Sequence, residues 1–127
     1  MIPLAIASLT HTDYTASLYA AAAYCHEERL VGWSCDYMCG NHTTGTILQH
    51  HFHHPHTDTT GYVAINHNLH FIVLAFRGSL SLLNWIGNLK TWHHWTPWRE
   101  TKGKVHTGFL SGYLSVADQI RESVDSL

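Results

Sequence analysis

The sequence predicts an α/β fold, and three stretches carry that expectation. An N-terminal segment repeats its apolar residues at helical spacing, two β-rich runs flank a turn near the middle, and the segment after Gly108 returns to helical spacing. Helix, strands and helix in that order, within 127 residues, fit one domain around an incomplete α/β sheet.

Leu18, Ala21, Ala22 and Cys25 fall at i, i+3, i+4 and i+7, which predicts an amphipathic helix from about Asp13 to Tyr24, capped by Thr12 or Asp13. Residues 1–12 read as a tail and 13–127 as the domain. Gly32 to Gly45 reads as a loop tied by cysteines. Thr46 to Phe52 suits an edge strand that the run His50-His51-Phe52-His53-His54-Pro55-His56 interrupts. Gly61–Ile65 and Leu69–Phe76, on either side of Asn66-His67-Asn68, predict a hairpin. Phe71-Ile72-Val73-Leu74-Ala75-Phe76 has no polar interruption, as expected of a strand buried on both faces. A short helix is expected from Ser81 to Leu89 and a Trp-bearing loop from Thr91 to Lys104. Tyr113, Val116, Ala117, Ile120, Val124 and Leu127 then mark a closing amphipathic helix.

Composition excludes several classes. Apolar residues make up 45% of the chain, an ordinary globular value, and no apolar run approaches the roughly 20 residues of a membrane span. Charged residues are sparse at 13%, and thirteen histidines partly replace them. Protonating all thirteen would carry the formal charge from −2 to +11, so the electrostatics change sharply once imidazole titrates. No basic stripe points to nucleic acid. Met1 to Ala7 ends in an A-x-A-like tripeptide without a basic n-region, which fits the tail of a clipped signal peptide or an artificial start. Cys25, Cys35 and Cys39 form an odd set, implying a free thiol or a partner elsewhere.

The informative stretch runs from Phe71 to Leu89: a buried strand ends in Arg77-Gly78-Ser79 and hands over to Leu80-Ser81-Leu82-Leu83-Asn84-Trp85-Ile86-Gly87-Asn88-Leu89. With Lys104-Val105-His106-Thr107-Gly108-Phe109-Leu110, and with Tyr24-Cys25 and Trp33-Ser34-Cys35, it strongly resembles the fungal class 3 lipases, the Rhizomucor/Rhizopus type of triacylglycerol lipase. Those enzymes show a strand, then F-R-G-[ST], an N-W-I-type lid helix, and K-V-H-x-G-F-L before the nucleophile elbow. The resemblance covers about Asp13 to Leu127.

It implies an α/β-hydrolase fold, truncated here before the nucleophile elbow, and hydrolysis of acylglycerols or similar esters through an acyl-serine intermediate. No cofactor and no metal are implied. The partner is an ester substrate at a lipid–water interface, and the setting is secreted. Ser79 is then the oxyanion-hole residue, donating its backbone N–H, with its hydroxyl as a second contact; Gly78 lets the chain turn where a Cβ would obstruct. Leu82, Trp85, Ile86 and Leu89 form the apolar underside of the lid, although periodicity alone favours a short core helix. His106 becomes a structural residue near the site rather than the base. By the same resemblance Cys35 pairs with Cys39, and Cys25 awaits a distant cysteine.

The family pattern is not fully met. Leu83 stands where Arg is common, and Asn88 where Asp often supports the oxyanion-hole hydroxyl. No G-x-S-x-G pentapeptide occurs, since Gly108-Phe109-Leu110-Ser111-Gly112 has its serine one place late, so the nucleophile, acid and base are expected outside the chain. Trp92, Trp95 and Trp98, with Trp85, suit either a substrate-side rim or packing beneath a loop. The histidine run, joined by His93 and His94, lacks the fixed spacing of a metal site and reads as a solvated loop. A feruloyl-type esterase, or a non-catalytic lipid- or metal-binding remnant, remain the alternatives.

Overall fold

A computed structural model of the chain describes residues 11–78, 95–98 and 102–127. Their elements are α1 (His11–Ala22), α2 (Glu27–Val31), a 3-10 turn (Asp36–Cys39), β1 (Thr46–His54), β2 (Thr59–Asn66), β3 (Phe71–Phe76), β4 (Trp95–Pro97), β5 (Lys104–His106), α3 (Thr107–Leu114) and α4 (Ala117–Asp125). β1, β2 and β3 form an antiparallel sheet in sequence order, and β4 pairs antiparallel with β5.

The helix expected from Asp13 starts at His11, so Thr12 and Asp13 lie inside it rather than capping it. An acidic residue in the first turn still suits the positive end of the helix dipole. Its buried face is Thr15, Leu18, Tyr19, Ala22 and Ala23, a stripe at i, i+3, i+4, i+7 and i+8 that lies nearer Thr15 and Tyr19 than the sequence suggested.

Strand alternation divides the core in two. Tyr62 and Ala64 of β2, with Val73 and Ala75 of β3, pack against Tyr19, Ala22, Ala23, Leu30 and Cys35. Val63, with Phe52 of β1, packs on the opposite face against Val116 and Ile120, the start of α4 and its first turn. Helices therefore cover both faces of the sheet, the layering of an α/β protein. Gly61 is required where the strands crowd: a Cβ there would lie 2.2 Å from the Ala75 carbonyl oxygen and 2.6 Å from the Phe52 ring.

Four expectations need correction. The strand buried on both faces is β2, not β3. The apolar face formed by Ile72, Leu74 and Phe76 stays exposed because α4 packs over β1 and β2 instead. β1 continues through the histidine run to His54, with a bulge between Leu48 and His50. Its histidines alternate: His50, Phe52 and His54 oppose Val63, Gly61 and Thr59, while His51 and His53 oppose Tyr62 and Thr60. The stretch from Thr91 to Lys104 includes β4, paired to β5, rather than loop alone. Finally, the closing helix is two, broken at Ser115-Val116.

The cysteine pairing also differs. Cys25 bonds Cys35, with Cα atoms 6.2 Å apart, and Cys39 is the free thiol. The end of α1 is folded against the turn that begins at Cys35, so the cysteine ten residues away is the near partner and not the one four residues away. Cys39 sits half-buried against the same core, and burial pushes its thiol above the ordinary range. No helix among the described residues is long and apolar enough to cross a membrane.

Candidate active site

The expected site centres on the C-terminal end of β3. Arg77 still belongs to the ladder, its N–H donating to the Thr60 carbonyl at 2.8 Å. Its guanidinium reaches Asp58 at 3.1 Å, and both side chains are more than two-thirds buried. Asp58 occupies the turn from β1 to β2 in a left-handed conformation (φ 50°), which Asp tolerates better than most residues. Gly78 then leaves the sheet. Its N–H donates to the Tyr24 hydroxyl at 3.1 Å, and a Cβ on Gly78 would approach that oxygen to 2.4 Å. Any side chain at this position would first meet the hydroxyl end of the tyrosine just past α1.

Ser79, Leu82, Trp85, Ile86 and Leu89 lie outside the described residues, as do Leu83, Asn88, Trp92, His93 and His94. His106 lies at the β5–α3 junction. Its Nδ1 accepts the Gly108 N–H at 3.2 Å, capping α3, and its ring meets those of Trp95 and Phe109 edge-on with centroids 5.9 and 5.5 Å apart. That is a structural role for His106 within its own hairpin and helix. Trp95 is 58% exposed and packs against His106 alone among the ring contacts described. Among the described residues, no hydrogen bond, ion pair or ring contact joins Gly78 to His106.

Two residues of this region escaped the sequence reading as functional candidates. Asp58 follows a threonine in a polar turn, and nothing in its neighbourhood signals Arg77. Tyr24 belongs to the family-like Tyr24-Cys25 pair, but its link to Gly78 spans 54 residues and only the fold reveals it.

The histidines of β1 bind the sheet to its neighbours. His50 meets Gln119 of α4 at 3.2 Å, His53 meets Thr60 at 2.7 Å, and His54 meets Thr57 at 3.1 Å, which in turn meets Ser115 at 2.9 Å. His51 faces Glu27 of α2 at 3.4 Å. Burial holds the His51 imidazole below its ordinary pKa, with the Glu27 carboxylate opposing that shift. Among the described residues, no group of three or more His, Cys, Asp or Glu side chains is arranged to hold a metal ion.

A groove of about 370 Å³ opens between α1 and β3, lined by Thr12, Ala16, Tyr19, Ala20 and the strand Phe71–Phe76. Its walls are mainly apolar side chains on a sheet edge and a helix flank, a surface suited to hydrocarbon or to further protein.

The chain has clear relatives. The family model described as Lipase (class 3) matches residues 73–127, a span opening within β3. The secreted mono- and diacylglycerol lipase A of Penicillium cyclopium is 32% identical over 123 residues, covering 94% of this chain and 36% of the relative. Lipase II from Rhizopus niveus has a TM-score of 0.74 and 29% identity, over 89% of this chain and 42% of its own. A triacylglycerol lipase whose catalytic centre is described as a serine protease triad has a TM-score of 0.71 and 26% identity, with the same coverage. The chain spans between 36% and 42% of the length of these relatives. Sequence kinship across nearly all of these residues and shared three-dimensional structure make the chain similar to the fungal class 3 lipases, and its fold is that of an α/β-hydrolase.

Proposed function

We propose that the protein hydrolyses acylglycerol esters by a serine acyl-enzyme mechanism, and that this chain contributes the oxyanion-stabilising turn and the lid. The observation that carries the reading is the end of β3: a strand closing in Arg77-Gly78-Ser79, its glycine tied to Tyr24, followed at once by the apolar set Leu82, Trp85, Ile86 and Leu89. Attack on an ester carbonyl turns its oxygen into an oxyanion, and N–H groups aimed at that oxygen beforehand lower the barrier. In this reading Ser79 supplies one such N–H, and its hydroxyl assists. The lid covers the site in water and turns its apolar face to lipid at an interface. No residue of the 127 is assigned as nucleophile, acid or base, because no G-x-S-x-G occurs among them.

The acylglycerol class is supported by the relatives, described as a mono- and diacylglycerol lipase and a triacylglycerol lipase. Secretion is supported by the Penicillium relative's description and by a disulfide, which persists in oxidising surroundings.

The test uses the protein expressed from its complete coding sequence. Ser79→Ala keeps the backbone N–H, so kcat on a dissolved short ester should fall by less than the roughly 100-fold loss of a whole donor, with KM nearly unchanged. Trp85→Ala should lower activity on emulsified triglyceride and spare the dissolved ester. If both variants lose both activities in equal proportion, the segment is core and not lid. The 127 residues alone should show no turnover above a Ser79→Ala control.

A further inference from the structure

β1 can acquire charge of one sign only. From Tyr37 to Thr57 the chain has no Asp, Glu, Lys or Arg, yet His50, His51, His53, His54 and His56 lie along β1 and the turn that follows it. Among the described residues β1 pairs only with β2, so its other edge is free. Side chains alternate between the faces of a strand, which puts His50 and His54 on one face and His51 and His53 on the other. Imidazoles therefore line this rim of the sheet from both sides.

The rim can hold that charge without losing its contacts. His50 faces the Gln119 side-chain oxygen at 3.2 Å, His53 the Thr60 hydroxyl at 2.7 Å and His54 the Thr57 hydroxyl at 3.1 Å. Each of these oxygens accepts from a protonated ring as readily as from a neutral one. The His54 and His56 rings lie 5.8 Å apart between centroids, so protonating both leaves two cations side by side and favours an anion beside them.

The elements packed around the rim cancel little of this charge. α2 sets Glu27 3.4 Å from His51, and burial lowers the His51 pKa, so His51 adds little to the outward charge. Glu28 of α2 is exposed, and Arg29 pairs with Asp36. Asp58 is paired with Arg77, which itself adds positive charge near His51. On α4, Asp118 pairs with Arg121, while Glu122 and Asp125 are exposed. α3 has no charged residue.

We propose that the histidine rim of β1 is a docking strip for lipid surfaces bearing anionic phosphodiester headgroups, engaged as pH falls below about 6.5, where imidazole ordinarily protonates. The choice of lipid over other phosphodiesters rests on the proposed function, which puts the ester substrate in a lipid assembly. The strip brings the protein to the surface and takes no part in the ester chemistry.

The experiment is cosedimentation of the protein, expressed from its complete coding sequence, with vesicles of phosphatidylcholine alone or with about 30% phosphatidylglycerol. Binding to the anionic vesicles should rise at least about 25-fold between pH 7.5 and pH 5, collapse in about 0.5 M salt and stay weak on phosphatidylcholine alone. One cation near such a surface is worth about fivefold, so His53→Gln with His56→Gln should lower binding at pH 5 by about 25-fold and leave it unchanged at pH 7.5. His67→Gln with His70→Gln removes the same charge from exposed positions at the opposite end of the β2 hairpins and should cost less than about twofold. Binding that ignores pH, equal losses in the two double variants, or equally tight binding of a short DNA duplex at pH 5 would each overturn the inference. Vesicle binding requires no turnover, so a protein that binds as expected but hydrolyses no ester supports the docking strip and overturns the proposed function.

Discussion

The hairpin of β2 and β3 is held differently at its two ends. At the turn end, Asn66 is fully buried. Its side-chain amide lies 3.0 to 3.3 Å from the Tyr19 and Thr46 hydroxyls and the Thr43 and Thr44 carbonyls, and its oxygen accepts the Leu69 N–H at 3.0 Å. The Tyr19 and Thr46 hydroxyls meet at 2.8 Å, and Tyr62 adds a bond to the Tyr19 carbonyl at 2.7 Å. At the other end, beyond the Arg77 N–H bond to the Thr60 carbonyl that closes the ladder, Arg77 and Gly78 are held by one ion pair and one hydrogen bond, both partly open to water. One end is a dry polar network in which every member depends on the others. The other is a pair of separable restraints on the residues leading to the proposed oxyanion donor. A scaffold benefits from the first arrangement, and a turn that must be aimed benefits from the second.

Removing the hub of the buried network should have the largest effect on stability. Asn66→Ala removes two buried N–H donors and the acceptor of the Leu69 N–H at once, and should cost about 2–4 kcal/mol in urea unfolding. A loss below 1 kcal/mol would erase the contrast between the two ends. Asp58→Asn acts at the open end. The pair is partly shielded from solvent, so about 1 kcal/mol of stability is expected, with reduced protection of the Arg77 amide in hydrogen exchange. A cost equal to that of Asn66→Ala would show that both ends are equally coupled to the core.

The smallest effect is a change with pH. Because burial depresses the folded-state pKa of His51 below its ordinary 6.5, the unfolded chain takes up this proton first as pH falls. The His51 contribution is therefore fully present above about pH 6.5 and is lost as pH falls through the lower folded value. His51→Gln should flatten the stability curve in that window and leave it unchanged above pH 7. An equally steep acid loss in the variant would assign the slope to the other histidines.

The hairpin was legible because Asn66-His67-Asn68 and its apolar flanks are local signals, and the strand pairing follows from them. The assignment of burial was not. Phe71 to Phe76 is the more hydrophobic run, yet the strand enclosed on both faces is β2, which carries Gly61 and Thr60. Which strand ends up central depends on where α1 and α4 dock, and that is non-local information. The histidine run misled for a related reason. Imidazoles at successive positions of a strand, such as His50 and His51, can find partners on both sides, here Gln119 and Glu27, which composition does not reveal. The disulfide followed spatial rather than sequence proximity, and so did the Tyr24–Gly78 contact. Arg77-Gly78-Ser79 stood out by family likeness, but the contacts that hold Arg77 and Gly78 did not.

β3 has one more consequence. Among the described residues it pairs only with β2, and its exposed side chains include Ile72, Leu74 and Phe76 with no charge or proline in the strand. A strand of this kind has none of the features that ordinarily discourage pairing between chains. During refolding, docking within one molecule is first order in chain, whereas edge-to-edge capture by another molecule is second order. Yield should therefore decline with protein concentration even where the folding rate of each molecule does not, and dilution recovers native chain without any change in the contacts that hold it.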